Sequence, residues 1–127
     1  MEVELVSPER VLYSGEADMV IARAEGGDIA FLPGHAPFLG TLQIGMVTIR
    51  SQGNQEVAAV HGGFVEVRDD KVIILSDVAE LASQIDVARA REAGERAEAK
   101  LRTDHDSEAE AALRRAHVRL EAAGGLR

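Results

Sequence analysis

The sequence contains no cysteine and no tryptophan, and only four of its 127 residues are aromatic. Without cysteine, neither disulfide bonds nor thiolate metal sites can form, which suits a reducing compartment. No apolar run approaches the ~18 residues that a membrane-spanning helix requires. Glu2 and Glu4 are acidic where a signal or transit peptide would be basic. We therefore expect the protein to stay in the compartment where it is made.

Acidic residues outnumber basic ones, which disfavours nucleic acid or an anionic membrane surface as a partner. The net charge is −8, from 14 Lys and Arg against 22 Asp and Glu. Residues 1–85 carry 13 acidic and 5 basic side chains, a net charge of −8, whereas residues 86–127 carry nine of each. This uneven distribution predicts two structural units.

The first unit has the composition of an all-β domain. All three prolines and all four aromatic residues precede Ile85, and the apolar residues there fall in short runs bounded by turn formers. The predicted strands are residues 2–6, 19–22, 29–32, 42–49, 56–60, 64–67 and 72–75. Gly53-Asn54 and Asp69-Asp70 are predicted to form hairpin turns. Many short strands without intervening helices predict an antiparallel β-sandwich, or flattened barrel, over residues 1–84.

The second unit favours helices, because alanine, glutamate and arginine dominate and proline is absent. Apolar and small residues recur at spacings of three and four, as on one helix face. The first series is 87, 90, 94, 97 and 101; the second is 109, 112, 113, 116, 120 and 123. Ser107 with Glu110 matches a capping box, as Ser83 with Asp86 does more weakly. The pattern predicts an antiparallel two-helix hairpin over residues 85–127, with residues 103–106 as its connection and Gly124-Gly125 as its end.

The predicted seam of this hairpin consists mostly of alanine. Alanine allows close helix contact but removes little apolar area from water, so two such helices are marginally stable alone. We therefore expect the hairpin to need stabilising contacts with the sandwich, a ligand or a partner protein. Where these surfaces bind it with similar affinity, the hairpin is expected to exchange among them.

Sites for catalysis are not evident in the sequence. There is no phosphate-binding loop, no serine in a nucleophile elbow, and no metal-ligand spacing among the four histidines. These histidines are His35, His61, His105 and His117. We interpret the chain as not an enzyme, although a small hydrolase with an acidic cleft remains an alternative.

Three segments resemble the epsilon subunit family of bacterial F-type ATP synthases, in the same order. Residues 27–38 read GDIAFLPGHAPF, residues 61–67 read HGGFVEV, and residues 85–90 read IDVARA. The last has the form of the family's ATP-binding motif. Gly62-Gly63 in the second segment is expected to provide backbone geometry, with positive φ or a close approach. A stand-alone adaptor or ligand-binding β-sandwich with a partner-docking hairpin is the alternative.

The resemblance implies a non-catalytic rotor subunit at the cytoplasmic face of the bacterial cell membrane, peripheral and without direct insertion. Its sandwich would hold the gamma subunit and contact the c ring through Asp28 and His35. Its hairpin would either fold onto the sandwich or extend toward the alpha and beta subunits and inhibit ATP hydrolysis. ATP would act as a regulatory ligand, with no catalytic cofactor.

The resemblance also implies a set of ATP-binding residues, with Asp86 accepting from the adenine amino group and the arginines contacting phosphate or closing the hairpin. These residues are Glu80, Ile85, Asp86, Arg89, Ala90, Arg96, Arg115 and Arg119. Spacing alone places Arg89 and Arg96 on one side of the first helix and Arg115 and Arg119 on one side of the second. Ion pairs within the helices, such as Arg89 with Asp86 or Glu92, are the alternative role for these arginines.

Overall fold

The computed structural model describes residues 1–124 as eight strands followed by a 3-10 turn and two α-helices. The strands are β1 (Glu2–Val6), β2 (Val11–Glu16), β3 (Met19–Ala24), β4 (Gly27–Phe31), β5 (Phe38–Ser51), β6 (Asn54–Arg68), β7 (Lys71–Leu75) and β8 (Ala79–Leu81). The 3-10 turn is Ala82–Gln84, and the helices are α1 (Val87–Leu101) and α2 (Ser107–Ala122). The predicted β-sandwich followed by a helical hairpin is confirmed.

The strands are hydrogen-bonded in the order β2-β1-β7-β6-β5-β3-β4. β7 pairs with residues 64–68 of β6, and β8 pairs with residues 58–60 of the same strand. The pairs are antiparallel except for β1 with β7, which is parallel. Buried residues of β1, β3, β4, β5, β6 and β7 form one core, with Phe31, Leu5 and Ile74 among its largest side chains. The two long strands β5 and β6 extend through both halves of the sandwich and join them.

Several sequence-based details differ from the structure. Residues 54–68 form one strand where two were predicted, and β2 and β8 were not predicted at all. The turn before β6 is at Gln52-Gly53, one residue earlier than expected, and both residues have positive φ. The turn at Asp69-Asp70 lies where the sequence predicted it, again with positive φ at both residues.

Gly62 and Gly63 interrupt the alternation of β6. The core-facing residues are Ala58 and Val60 before the two glycines and Val65 after them. The side chains that face the core therefore change from even-numbered to odd-numbered positions at the glycine pair. The φ angles of Gly62 and Gly63 are +85° and +130°. A Cβ on Gly63 would lie 2.1 Å from the carbonyl oxygen of Leu75 on β7. The expected role of this pair in backbone geometry is confirmed.

The two helices pack closely where their side chains are smallest. A Cβ on Gly94 of α1 would lie 3.4 Å from the Cβ of Ala116, which is fully buried on α2. The cap of α2 is Asp106, whose Oδ1 accepts from the backbone of Glu108 and Ala109, so the predicted cap at Ser107 is off by one residue. Helix α2 ends at Ala122. The predicted terminator Gly125 lies outside the described residues.

The hairpin is docked on the sandwich through α2, which packs against β5 and β6. An ion pair joins the two units: Arg119 Nε on α2 donates to Glu80 Oε1 on β8 at 2.5 Å. Within residues 1–124, neither helix combines the length and apolar character needed to cross a bilayer.

Candidate functional site

A cleft of about 340 Å³ lies where the start of α1, the β8 segment and α2 meet. Its lining residues come from all three elements and carry both charge signs. They are Glu80, Gln84, Asp86, Arg89, Ala90, Ala93, Arg96 and Arg119. The volume lies within the ~300–1,000 Å³ range of small-molecule sites, toward its lower end. The cleft can therefore take a ligand of nucleotide size only by enclosing part of it.

Helix geometry explains why the α1 residues meet in this cleft. Arg89, Ala93 and Arg96 are spaced by four and three residues, so they share one face of α1. Asp86 precedes the helix and caps it, because its Oδ1 accepts from the backbone N–H of Arg89 at 3.0 Å. The other carboxylate oxygen, Oδ2, makes no hydrogen bond within residues 1–124 and can accept one from a ligand.

The arginines of the cleft differ in their partners. Within residues 1–124 neither Arg89 nor Arg96 forms an ion pair, so the pairs within α1 that the sequence left open are not formed there. Arg119 is instead paired with Glu80, which is 39 positions earlier in the chain. Two guanidinium groups without ion-pair partners beside a third, paired one provide donors suited to a polyphosphate.

Two of the eight predicted ATP-binding residues do not line the cleft. Ile85 is half-buried, and its N–H donates to the carbonyl of Ala82 at 3.3 Å. Arg115 lies one turn before Arg119 on α2, but its Nη2 donates to Glu108 Oε1 at 2.6 Å. The structure thus brings together six of the predicted residues and holds Arg115 to one side.

Gln84 and Ala93 line the cleft but were not predicted. Gln84 is held by its side-chain oxygen, which accepts from the backbone of Leu81 at 3.1 Å and from Arg10 Nη2 at 3.3 Å. Ala93 follows Arg89 by four residues, so helical spacing alone could have identified it. No comparable signal exists for Gln84, since its position depends on contacts with β8 and the β1–β2 loop.

The two residues predicted to contact the c ring lie on β4 and in the loop that follows it. Asp28 is exposed on β4, the terminal strand of the sheet, and forms an ion pair with Arg23 at 3.3 Å. His35 is half-buried, and its ring packs against Phe31 with centroids 5.1 Å apart. The loop is held by hydrogen bonds from Gly34 N–H to Asp70 Oδ1 at 2.9 Å and from His35 N–H to the carbonyl of Leu32 at 3.0 Å.

An apolar groove of about 440 Å³ lies on the outer face of β6 and β7. Phe64 is 58% exposed and Leu75, its partner in the strand register, is 51% exposed. Ser7 and Pro8 from the β1–β2 loop complete one side. Adjacent large apolar side chains in contact with water are typical of a surface that another protein covers.

The sequence matches two family descriptions that together extend over residues 1–124. Residues 1–82 match the beta-sandwich domain of the ATP synthase Delta/Epsilon chain, and residues 83–124 match its long alpha-helix domain. The ATP synthase epsilon chain of Streptomyces griseus is 51% identical over 123 residues, which cover 96% of this chain and 94% of that relative. The ATP synthase epsilon chain of Bacillus velezensis is 45% identical over 128 residues, covering 98% of this chain and 97% of that relative.

Two solved structures resemble the fold at low sequence identity. A chain of the Euglena gracilis mitochondrial ATP synthase matches with a TM-score of 0.73 and 23% identity, covering 98% of this chain and 77% of its own length. A chain from the central stalk and c-ring of the Tetrahymena thermophila mitochondrial ATP synthase matches with a TM-score of 0.65 and 17% identity. The match covers 96% of this chain and 95% of that chain. These likenesses concern the fold alone.

Proposed function

This chain belongs to the ATP synthase delta/epsilon chain family, and from that premise we propose that it is a non-catalytic central-stalk subunit of an F-type ATP synthase. The observation that carries the proposal is near full-length similarity to epsilon chains, in both the sandwich and the hairpin. The subunit turns with the rotor, couples gamma to the c ring for proton-driven ATP synthesis, and is peripheral at the cytoplasmic face of the bacterial membrane. A stand-alone adaptor would not need this two-part similarity.

The edge formed by β4 and the loop after it, which carries Asp28 and His35, is the proposed contact with the c ring. Asp28 is exposed on a terminal strand, and the hydrogen-bonded loop of residues 32–37 presents His35 in one orientation. A rigid loop loses little conformational freedom on binding, which supports an interface at this position.

Cysteines placed at residues 28 and 35 are expected to cross-link to c subunits in the assembled enzyme. The measurement is the yield of a cross-linked product of this chain and subunit c, using a short reagent. Glu9→Cys is the control: Glu9 is exposed in the β1–β2 loop, at the Val6 end of β1, whereas Asp70, which holds the His35 loop, lies beside Glu2 at the other end of that strand. Equal yields at all three positions would contradict the assignment.

The apolar groove around Phe64 and Leu75 is the proposed contact with gamma. These two side chains lose contact with water only if another chain covers them, and each would stabilise the complex by roughly 1 kcal/mol or more on burial. The groove faces away from the sandwich core, so gamma can bind there while the core stays intact.

The cleft between α1, β8 and α2 is the proposed site for a regulatory ATP. Asp86 Oδ2 accepts from the adenine amino group, while Arg89, Arg96 and Arg119 donate to phosphate oxygens. Bound ATP favours the docked hairpin because residues from both helices and from the sandwich line the cleft. Such a ligand shifts the equilibrium by its differential affinity for the docked and extended forms. ATP acts here as a signal and is not hydrolysed.

The extended hairpin is the proposed brake. Its two helices bury mainly small side chains against each other, so little free energy holds them in one place. When ATP leaves, the hairpin can move toward the alpha and beta subunits and resist rotation in the hydrolysis direction. The docked form leaves rotation free.

Replacing Glu108 by glutamine is expected to raise the affinity for ATP by about two- to fivefold. The ion pair of Glu108 with Arg115 is largely exposed, and such pairs contribute about 0.2–1 kcal/mol. Without it, Arg115 can turn toward the cleft, where Arg119 already lies on the same face of α2. Titration calorimetry measures the change. Glu110→Gln, in the same helical turn but without an ion pair within residues 1–124, should leave the affinity unchanged.

A further inference from the structure

His61 lies on β6 beneath α2, and the proposed nucleotide cleft does not use it. Its side chain is 4% exposed. Both ring nitrogens, Nδ1 and Nε2, are buried without a hydrogen-bond partner in the described chain. Buried polar atoms are nearly always hydrogen-bonded, so an unpaired imidazole at a docking interface calls for an explanation beyond packing.

The charged groups that face this imidazole come from both elements that cover it. Helix α2 contributes Arg119 and Arg115, and β8 contributes Glu80, whose Oε1 lies 4.0 Å from Nε2. Glu80 is already paired with Arg119 at 2.5 Å, so its charge is largely compensated. An imidazolium here would lose its hydration and would face the Arg119–Glu80 and Arg115–Glu108 pairs, neither of which provides an unpaired anion to balance its charge.

We propose that His61 is a proton-operated release for the hairpin: the imidazole is neutral while α2 is docked, and a proton taken up from solvent drives α2 off the sandwich. Undocking removes both arginines and hydrates the two ring nitrogens, so the protonated ring is stable only in the undocked form. The release adds regulation by pH to the proposed function and does not depend on nucleotide binding. Since the extended hairpin is the proposed brake, acidification strengthens the brake at constant ATP.

The direction of the effect follows from linkage between proton binding and docking. Burial, followed by Arg119 and then Arg115, lowers the pKa of His61 from its ordinary value of 6.5 to about 4, with Glu80 opposing. A pKa that is lower in the docked form means that docking is fully favoured above pH 6.5 and weakens as the pH falls toward 4. Between pH 8 and pH 5.5 the docking equilibrium constant should fall about tenfold.

The full chain without nucleotide provides the test, because it contains no cysteine of its own. Ala59 is fully buried, and it lies two residues before His61 on the same face of β6, so a thiol there reacts only when the interface opens. The labelling rate of Ala59→Cys by a maleimide is divided by that of the exposed Gln55→Cys chain at the same pH. We expect this ratio to rise about tenfold between pH 8 and pH 5.5.

Adding His61→Gln should make the ratio constant over this range, because glutamine does not titrate; His61→Asn serves if the glutamine variant does not fold. His117→Gln, which alters an exposed histidine of α2, should keep the tenfold rise. A constant ratio in the chain with His61 intact, or a rise that survives removal of His61, overturns the proposal. Neither result bears on ATP binding, and failure to bind ATP would leave the proton release standing.

Discussion

Replacing Arg89 by alanine is expected to lower the affinity of the purified chain for ATP by roughly tenfold to a hundredfold. Arg89 lines the cleft and has no ion-pair partner within residues 1–124, so its guanidinium group can bind a phosphate. One charge-assisted hydrogen bond contributes about 1.5–3 kcal/mol, and about 1.4 kcal/mol corresponds to a tenfold change in Kd. Isothermal titration at constant ionic strength measures the loss, because salt screens such contacts.

Arg91→Ala is the matched control for this substitution. Arg91 lies on the same helix two residues later, is exposed, and does not line the cleft. Equal losses from the two substitutions would mean that the chain binds ATP through general positive charge and that the cleft is not the site. In the assembled enzyme, the Arg89→Ala chain should inhibit hydrolysis up to higher ATP concentrations than the unchanged chain does.

Replacing Gly63 by alanine is expected to destabilise the sandwich by about 4 kcal/mol or more, from positive φ and steric overlap together. The added Cβ would lie 2.1 Å from the backbone oxygen of Leu75 and 3.1 Å from the Cα of Ser76. These are backbone atoms at the end of β7 and directly after it, so they cannot turn aside as a flexible side chain could. A domain with a typical stability of 5–15 kcal/mol would lose a large part of it. Urea denaturation of the two chains measures the difference.

The neighbouring Gly62→Ala separates the two causes of this loss. Gly62 has a φ of +85°, but its Cβ would meet the Leu42 carbonyl oxygen at 3.7 Å, an ordinary contact. Only the backbone strain remains, which costs about 1–3 kcal/mol. If Gly63→Ala destabilised the protein no more than Gly62→Ala, the result would contradict the close approach of the Leu75 backbone to Gly63.

The sequence determined the elements whose pattern repeats within a few residues. Apolar runs in residues 1–84 and three- and four-residue spacing beyond them were enough to predict the sandwich and the hairpin. Asp86, Arg89 and Ala90 lie within one turn of α1, so their neighbourhood follows from local geometry alone. β2 was missed because its residues are largely half-exposed, and β8 because three residues carry no periodic signal; β8 forms where β6 has backbone groups to pair with it.

Only the tertiary structure decided which side chains meet across the two units. Spacing placed Arg115 and Arg119 on one face of α2, but the rotation of α2 on β5 and β6 directs Arg119 to Glu80 and leaves Arg115 beside Glu108. The same docking buries His61, which the sequence presented only as a histidine without a partner. Helical and strand periods determine the face on which a residue lies. The packing of one element on another, through contacts distant in the chain, determines what that face meets.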